Sequence, residues 1–272
     1  MTDEIKTVGF AGLGRMGLAK AKHCLNAGYN VLGFDITEGP MSAASDAGVE
    51  TLDSAAAVAA ASDVVIVIVP SDDDVRAACL GDAGALAGAT PGTIVVLCSS
   101  LMPETVTEIA AAAPDGVDIL DCPSTRGPEA ADAGTLALLV GGEAGVLAKA
   151  RPVLETFGEV IHHLGPLGAG QVAKTVNNIL LWCNMQTTME VLSMSKDLGL
   201  DAETMRKAMY DCSGDSWALR RLPLINPAWP VKDMKNAMVI RDQTGTEMPM
   251  SALMADLADG LSMEAVAKLL KS

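Results

Sequence analysis

Two groups of residues in this chain of 272 have types and spacings that could do chemistry. The first is Gly12-Leu13-Gly14-Arg15-Met16-Gly17, a Gly-x-Gly-x-x-Gly turn, with Asp35 at the end of the next apolar run. Such a turn suits a pyrophosphate: Gly12 permits a tight bend, Gly14 lets the backbone come close to an anion, and Gly17 lets the following helix pack near its strand. The helix then aims its N-terminal N–H groups and its dipole at the negative charge. Asp35 would accept hydrogen bonds from ribose hydroxyls, and all six turn residues are candidate cofactor contacts. The residues after it, Ile36-Thr37-Glu38-Gly39-Pro40, contain no cation to neutralise a 2′-phosphate, so the pattern favours NAD over NADP. The second group is Lys174 and Asn178, four residues apart and so on one face of a helix. A nicotinamide cofactor needs a hydride partner, and a carbonyl or alcohol partner needs a proton donor or acceptor. Lys174 is the candidate, since a cation and an amide on an otherwise apolar helix are costly to bury without purpose. The alternative is a lysine facing solvent. His23, within the first helix, and His162 and His163, at a strand end, are weaker candidates.

These residues need elements to hold them. Apolar strands are expected at Thr7 to Ala11, Asn30 to Phe34 and Val64 to Val69, the last ended by Pro70, which joins the candidate cofactor contacts. Further strands are expected at Thr93 to Leu97, Val117 to Asp121, Leu136 to Val140 and Val160 to His163. Helix-compatible stretches alternate with them: Ser54 to Ala61, Asp72 to Leu80, Pro103 to Ala113 and Glu143 to Phe157. The alternation predicts an α/β fold with an N-terminal Rossmann-type doubly wound sheet. From Gly165 on, strand signals stop. Val172, Val176, Ile179, Leu180, Cys183, Thr187, Val191 and Met194 recur at helical intervals, which predicts one long helix and an all-α C-terminal domain. The expected division is a cofactor domain at 1–165 and an α-helical substrate or oligomerisation domain at 166–272.

Composition bounds the function. The chain is half hydrophobic, 3% aromatic, and carries a formal charge of −15, which argues against nucleic acid or an anionic membrane as partner. Its six cysteines form no Cys-x-x-Cys pair beside histidines, so reduced thiols are expected and no metal site. The charged start, Met1 to Lys6, runs directly into a strand with no signal peptide, and no apolar run reaches membrane-spanning length. A cytoplasmic enzyme is expected. The long apolar helix predicts association as a homodimer or homotetramer.

Four blocks in order resemble the β-hydroxyacid dehydrogenase family, which includes 3-hydroxyisobutyrate dehydrogenase. They are Phe10 to Gly17; Ser99-Ser100-Leu101-Met102-Pro103; Asp121-Cys122-Pro123-Ser124-Thr125-Arg126-Gly127 with Gly134-Thr135-Leu136 and Gly141-Gly142; and Gly168 to Asn178. A weaker match continues through Ser213-Gly214, Ser216-Trp217 and Lys232-Asp233-Met234. The resemblance implies that Lys174 is the general acid/base and that Asn178 holds the carboxylate of a small anionic substrate. It also implies that Ser99 and Lys232 lie near the cofactor and that Thr125, Arg126 and Gly127 line the substrate loop. Read from the residues alone, Ser99 could equally cap the helix after Pro103, and Lys232 could be a solvated charge at a helix start. The family also contains imine reductases and a catalytically idle NAD-binding scaffold, in which the lysine is usually replaced or lost; Lys174 disfavours both.

Two departures stand out. Arg126 takes the place of a small family residue, so it either meets a second anionic group on the substrate or turns outward to pair with Glu129 or Asp132. The stretch between Trp217 and Lys232 is shorter than the family pattern, which bears on pocket shape.

Overall fold

A computed structural model describes residues 5–271. The first four residues of the charged start lie outside the described residues. The chain forms two compact units, one ending at Lys174 and the other beginning at Thr175.

The first unit is built on a nine-stranded sheet. Its strands are β1 Thr7–Ala11, β2 Asn30–Phe34, β3 Glu50–Thr51, β4 Val64–Val67, β5 Ile94–Leu97, β6 Asp118–Asp121, β7 Ser124–Thr125, β8 Leu136–Gly141 and β9 Gly158–Gly165. The order is β3-β2-β1-β4-β5-β6-β8-β7, with β9 also on β8. The first six are parallel, and the order reverses between β1 and β4. In such sheets ligands bind in the crevice at the carboxyl ends of the strands where the order reverses. The central strands show why their sequence is apolar at every position. Val64 and Ile66 of β4 face one core with Val96 of β5, whereas Val65 and Val67 face the other with Val95 and Leu97.

One feature departs from the sequence expectation. The fourth strand stops at Val67, three residues before Pro70. Ile68 still donates to Ala11 O, but Val69 N–H is captured by the side chain of Ser99, so strand pairing ends there. At the far edge β8 runs antiparallel to β6 and β7 and parallel to β9. Left-handed Arg126 and Gly127 turn the chain, helix Gly127–Ala133 follows, and Gly134 at φ +70 ends it and sends β8 back.

The long helix spans Ala169–Asp197. In the second unit its later turns supply Trp182, Met185 and Leu192 to a core completed by Leu222, Met234, Met254 and Val266 from the helices that follow. Among the described residues no helix is long and apolar enough to cross a membrane.

Candidate active site

The glycine turn is fixed by contacts that exclude any side chain. Gly12 sits at φ +102, and a Cβ there would stand 2.1 Å from Ile68 O. A Cβ on Gly17 would stand 2.1 Å from Gly12 O, so the helix Arg15–Asn26 packs directly on the turn. Gly14 differs: no atom lies within 4 Å of the place its Cβ would take. That open space lies at the N-terminus of the helix, where an anion would be held. Leu13 has a buried side chain, so only its backbone can serve a ligand. Its N–H donates to Asp35 Oδ2 at 2.8 Å, while Asp35 Oδ1 accepts from the N–H and hydroxyl of Thr37. Ile36, next to Asp35, is 89% exposed, an apolar surface beside the carboxylate. Arg15 is exposed and within 3.4 Å of Asp132, and Met16 packs against the sheet core. The turn therefore fits a dinucleotide: donors and open space at Gly14, and an acceptor at Asp35.

The loops beyond β4, β5 and β6 are tied together by buried hydrogen bonds. Ser99 is buried, and its hydroxyl accepts from Val69 N–H and donates to Val69 O, both at 2.8 Å, beside the exposed Pro70. It does not cap the following helix, Pro103–Ala111, which has Met102 at its start and no side-chain cap. The buried amide of Gln171 accepts from Leu101 N–H and donates to Ser99 O, each at 2.9 Å. Asp121, fully buried at the end of β6, accepts from Gly168 N–H at 2.8 Å and Gln171 N–H at 2.9 Å. Burial holds its carboxyl above the usual range, the donors around the start of the long helix offsetting only part of that rise. Lys174, partly buried, donates from Nζ to Ser124 O at 2.8 Å, which sets the ammonium beside the loop that continues into Thr125, Arg126 and Gly127.

In that loop, Thr125 Oγ1 donates to Ala137 O at 3.4 Å, and Gly127 is exposed at φ +78. Arg126 is the one non-glycine among the described residues with positive φ, at +79. Its guanidinium pairs with Glu159 and donates to Thr135 O at 2.9 Å. Glu159 is a partner that the sequence did not single out, and Asp132 instead faces Arg15.

Asn178 and Lys232 belong to the second unit. Asn178 is buried, one turn beyond Lys174 along the helix, and its Oδ1 accepts from Asn177 Nδ2 at 3.1 Å. Lys232 is partly buried in the first turn of helix Pro230–Thr244, with Nζ 5.9 Å from the centre of the Trp229 ring.

Comparison with known proteins fits this geometry. The family model for the NAD-binding domain of 6-phosphogluconate dehydrogenase matches residues 7–165, more than half of the chain. This chain belongs to the β-hydroxyacid dehydrogenase family. A second model, described as the NAD-binding part of NADP-dependent 3-hydroxyisobutyrate dehydrogenase, matches residues 168–269. The NAD-dependent L-serine dehydrogenase of Pseudomonas aeruginosa is 41% identical over 263 residues, covering 96% of this chain and 85% of its own. The 2-(hydroxymethyl)glutarate dehydrogenase of Eubacterium barkeri is 38% identical over 213 residues, covering 78% of this chain and 71% of its own. Among solved structures, Mycobacterium tuberculosis 3-hydroxyisobutyrate dehydrogenase with L-serine superposes at a TM-score of 0.88, with 31% identity over 98% of this chain and 100% of that one. The protein is thus an NAD(P)-binding oxidoreductase acting on the CH–OH group of hydroxyacids.

Asp121 and Gln171 are buried polar residues that tie the loops beyond β5 and β6 to the start of the long helix and that the sequence did not single out. Both stand inside matched blocks, and a carboxylate or amide among apolar neighbours was the available signal. Two of the three histidines have structural partners: His23 Nε2 contacts Ala131 O at 3.0 Å and His163 Nε2 contacts Gly142 O at 2.7 Å. Among the described residues no cluster of three or more His, Cys, Asp or Glu could hold a metal.

Proposed function

We propose that this dehydrogenase interconverts a small β-hydroxyacid and its 3-oxo acid or semialdehyde, with NAD as preferred cofactor. The observation that supports it best is Lys174, whose Nζ is held 2.8 Å from Ser124 O beside the open loop Thr125 to Gly127. In the oxidative direction the neutral Lys174 amine takes the hydroxyl proton, and in reduction its ammonium returns a proton to the carbonyl oxygen. A cation there also stabilises the charge that gathers on that oxygen. Gly12 to Gly17 and Asp35 would hold the cofactor, whose nicotinamide supplies or accepts the hydride. Asn178, four residues on along the helix, would orient the acid group.

The named substrates of the two reported relatives, L-serine and 2-(hydroxymethyl)glutarate, share a hydroxyl on the β carbon, two carbons along from a carboxylate carbon. The second carries two carboxylates, and Arg126 gives this chain a cation suited to that class. Val176, Leu180, Val191 and Met194 are exposed along the long helix, which supports a homodimer or homotetramer.

The test is NADH formation with a panel of 3-hydroxyisobutyrate, L-serine, 2-(hydroxymethyl)glutarate and simple 2-hydroxyacids. Turnover confined to 3-hydroxyacids is expected. Turnover on 2-hydroxyacids alone would overturn the reading.

A further inference from the structure

The amide of Gln171 uses both ends on one loop, and its backbone N–H uses a buried carboxylate, so one residue joins three segments of the first unit. Oε1 takes Leu101 N–H and Nε2 gives to Ser99 O, two backbone groups just past β5. The N–H of Gln171 goes to Asp121 Oδ2 just where β6 ends. Ser99 in turn holds Val69, the residue after β4 turns away, through a reciprocal pair of hydrogen bonds. Lys174 follows Gln171 by three residues on the same helix, about 4.5 Å along its axis.

The start of that helix has no room to settle elsewhere. A Cβ on Gly170 would lie 2.3 Å from Leu139 O, and one on Gly141 would lie 2.3 Å from Asp121 Oδ1. The start of the helix is therefore seated directly against β8 and the buried Asp121. The two hydrogen bonds of the Gln171 side chain tie that start to the loop past β5, beside the two that Asp121 accepts from the N–H groups of Gly168 and Gln171. Gln171 is 1% exposed, so no water competes for its amide.

We propose that Gln171 is a positioning residue for the reaction: its amide clamp on Ser99 and Leu101 fixes where Lys174 Nζ stands. The proposal rests on the reading of Lys174 as general acid/base. A glutamine that only satisfied buried backbone groups would contribute to stability alone; one that positions Lys174 must lose its effect on turnover when Lys174 is absent.

The experiment is a double-mutant cycle on kcat in the full-length enzyme, with Gln171→Met, Lys174→Ala and the pair. Methionine keeps the length of the side chain and removes both hydrogen bonds. Gln171→Met is expected to lower kcat by about tenfold to a hundredfold, the size of effect seen when reacting groups shift by about 1 Å. In the Lys174→Ala background the same substitution should change kcat by less than about twofold. An equal loss in both backgrounds, tracking a fall in melting temperature, would overturn the proposal. Should the methionine variant fail to fold, Gln171→Asn serves: it keeps the amide but is one methylene too short to span both partners, and the same cycle applies. Full activity in Lys174→Ala alone would instead overturn the assignment of Lys174, and the role of Gln171 with it.

Discussion

Asp35 Oδ2 accepts the backbone N–H of Leu13 at 2.8 Å, which locks the carboxylate ending the second strand to the glycine turn that follows the first. The carboxylate cannot swing away from a ligand bound in that turn without breaking this bond. A 2′-phosphate would therefore meet a fixed negative charge. NADH is expected to bind at least tenfold tighter than NADPH, on the order of 1.4 kcal/mol. Fluorescence titration measures this directly, and equal dissociation constants would remove Asp35 as the selector.

Lys174→Ala should lower kcat by about 10²–10⁴, the usual range for a positioned proton carrier, and leave NADH binding unchanged. The oxidation rate of the wild type should rise with pH as the ammonium loses its proton, and the variant should lack that limb. Turnover above about a tenth of wild type would mean that another group moves the proton.

Arg126 is engaged by Glu159 through Nη1, so a second substrate anion competes with that carboxylate for the guanidinium charge. Two substitutions then act in opposite directions. Arg126→Ala should raise KM for a dicarboxylic hydroxyacid by roughly tenfold to a hundredfold, whereas Glu159→Gln should lower it. For a monocarboxylic substrate neither should matter. Unchanged KM for the dicarboxylic substrate in both variants would show that Arg126 only closes its own loop.

In the second unit, the Arg206 side chain is buried and donates to Glu203, Tyr210 and the carbonyls of Leu219 and Arg220. Arg206→Ala should destabilise that unit by about 2–4 kcal/mol, because it strands the buried carbonyls and half of an ion pair. The hydrogen bond from Arg206 holds Glu203 below the usual carboxylate range. A depressed carboxyl stabilises the fold above its unfolded value and loses that contribution as pH falls through the folded one. The destabilisation should therefore be largest near neutral pH and shrink under acid. Thermal melts at pH 7 and pH 3.5 test it, and an equal difference at both would separate Glu203 from the effect.

Residues 7–35 were largely legible in the sequence, because the glycine spacing and the apolar runs are both local. The strands Thr7–Ala11 and Asn30–Phe34 stand where the pattern put them. Legibility failed where a partner is distant. Val69 leaves its strand because Ser99, thirty residues on, offers a hydroxyl, and no local pattern encodes that exchange. Gln171 meets Ser99 across seventy-two residues and Asp121 across fifty. Arg126 found Glu159 rather than the nearer acids because β9 pairs with β8, a register that the sequence does not display.

The three glycines of the turn separate two kinds of inherited failure. A side chain at Gly12 or Gly17 collides with a carbonyl 2.1 Å away, so the lesion is to the chain itself, and a cell carrying it loses the protein. A methyl group at Gly14 meets no atom of the chain. It would leave a well-folded protein in normal amount that can no longer seat its cofactor.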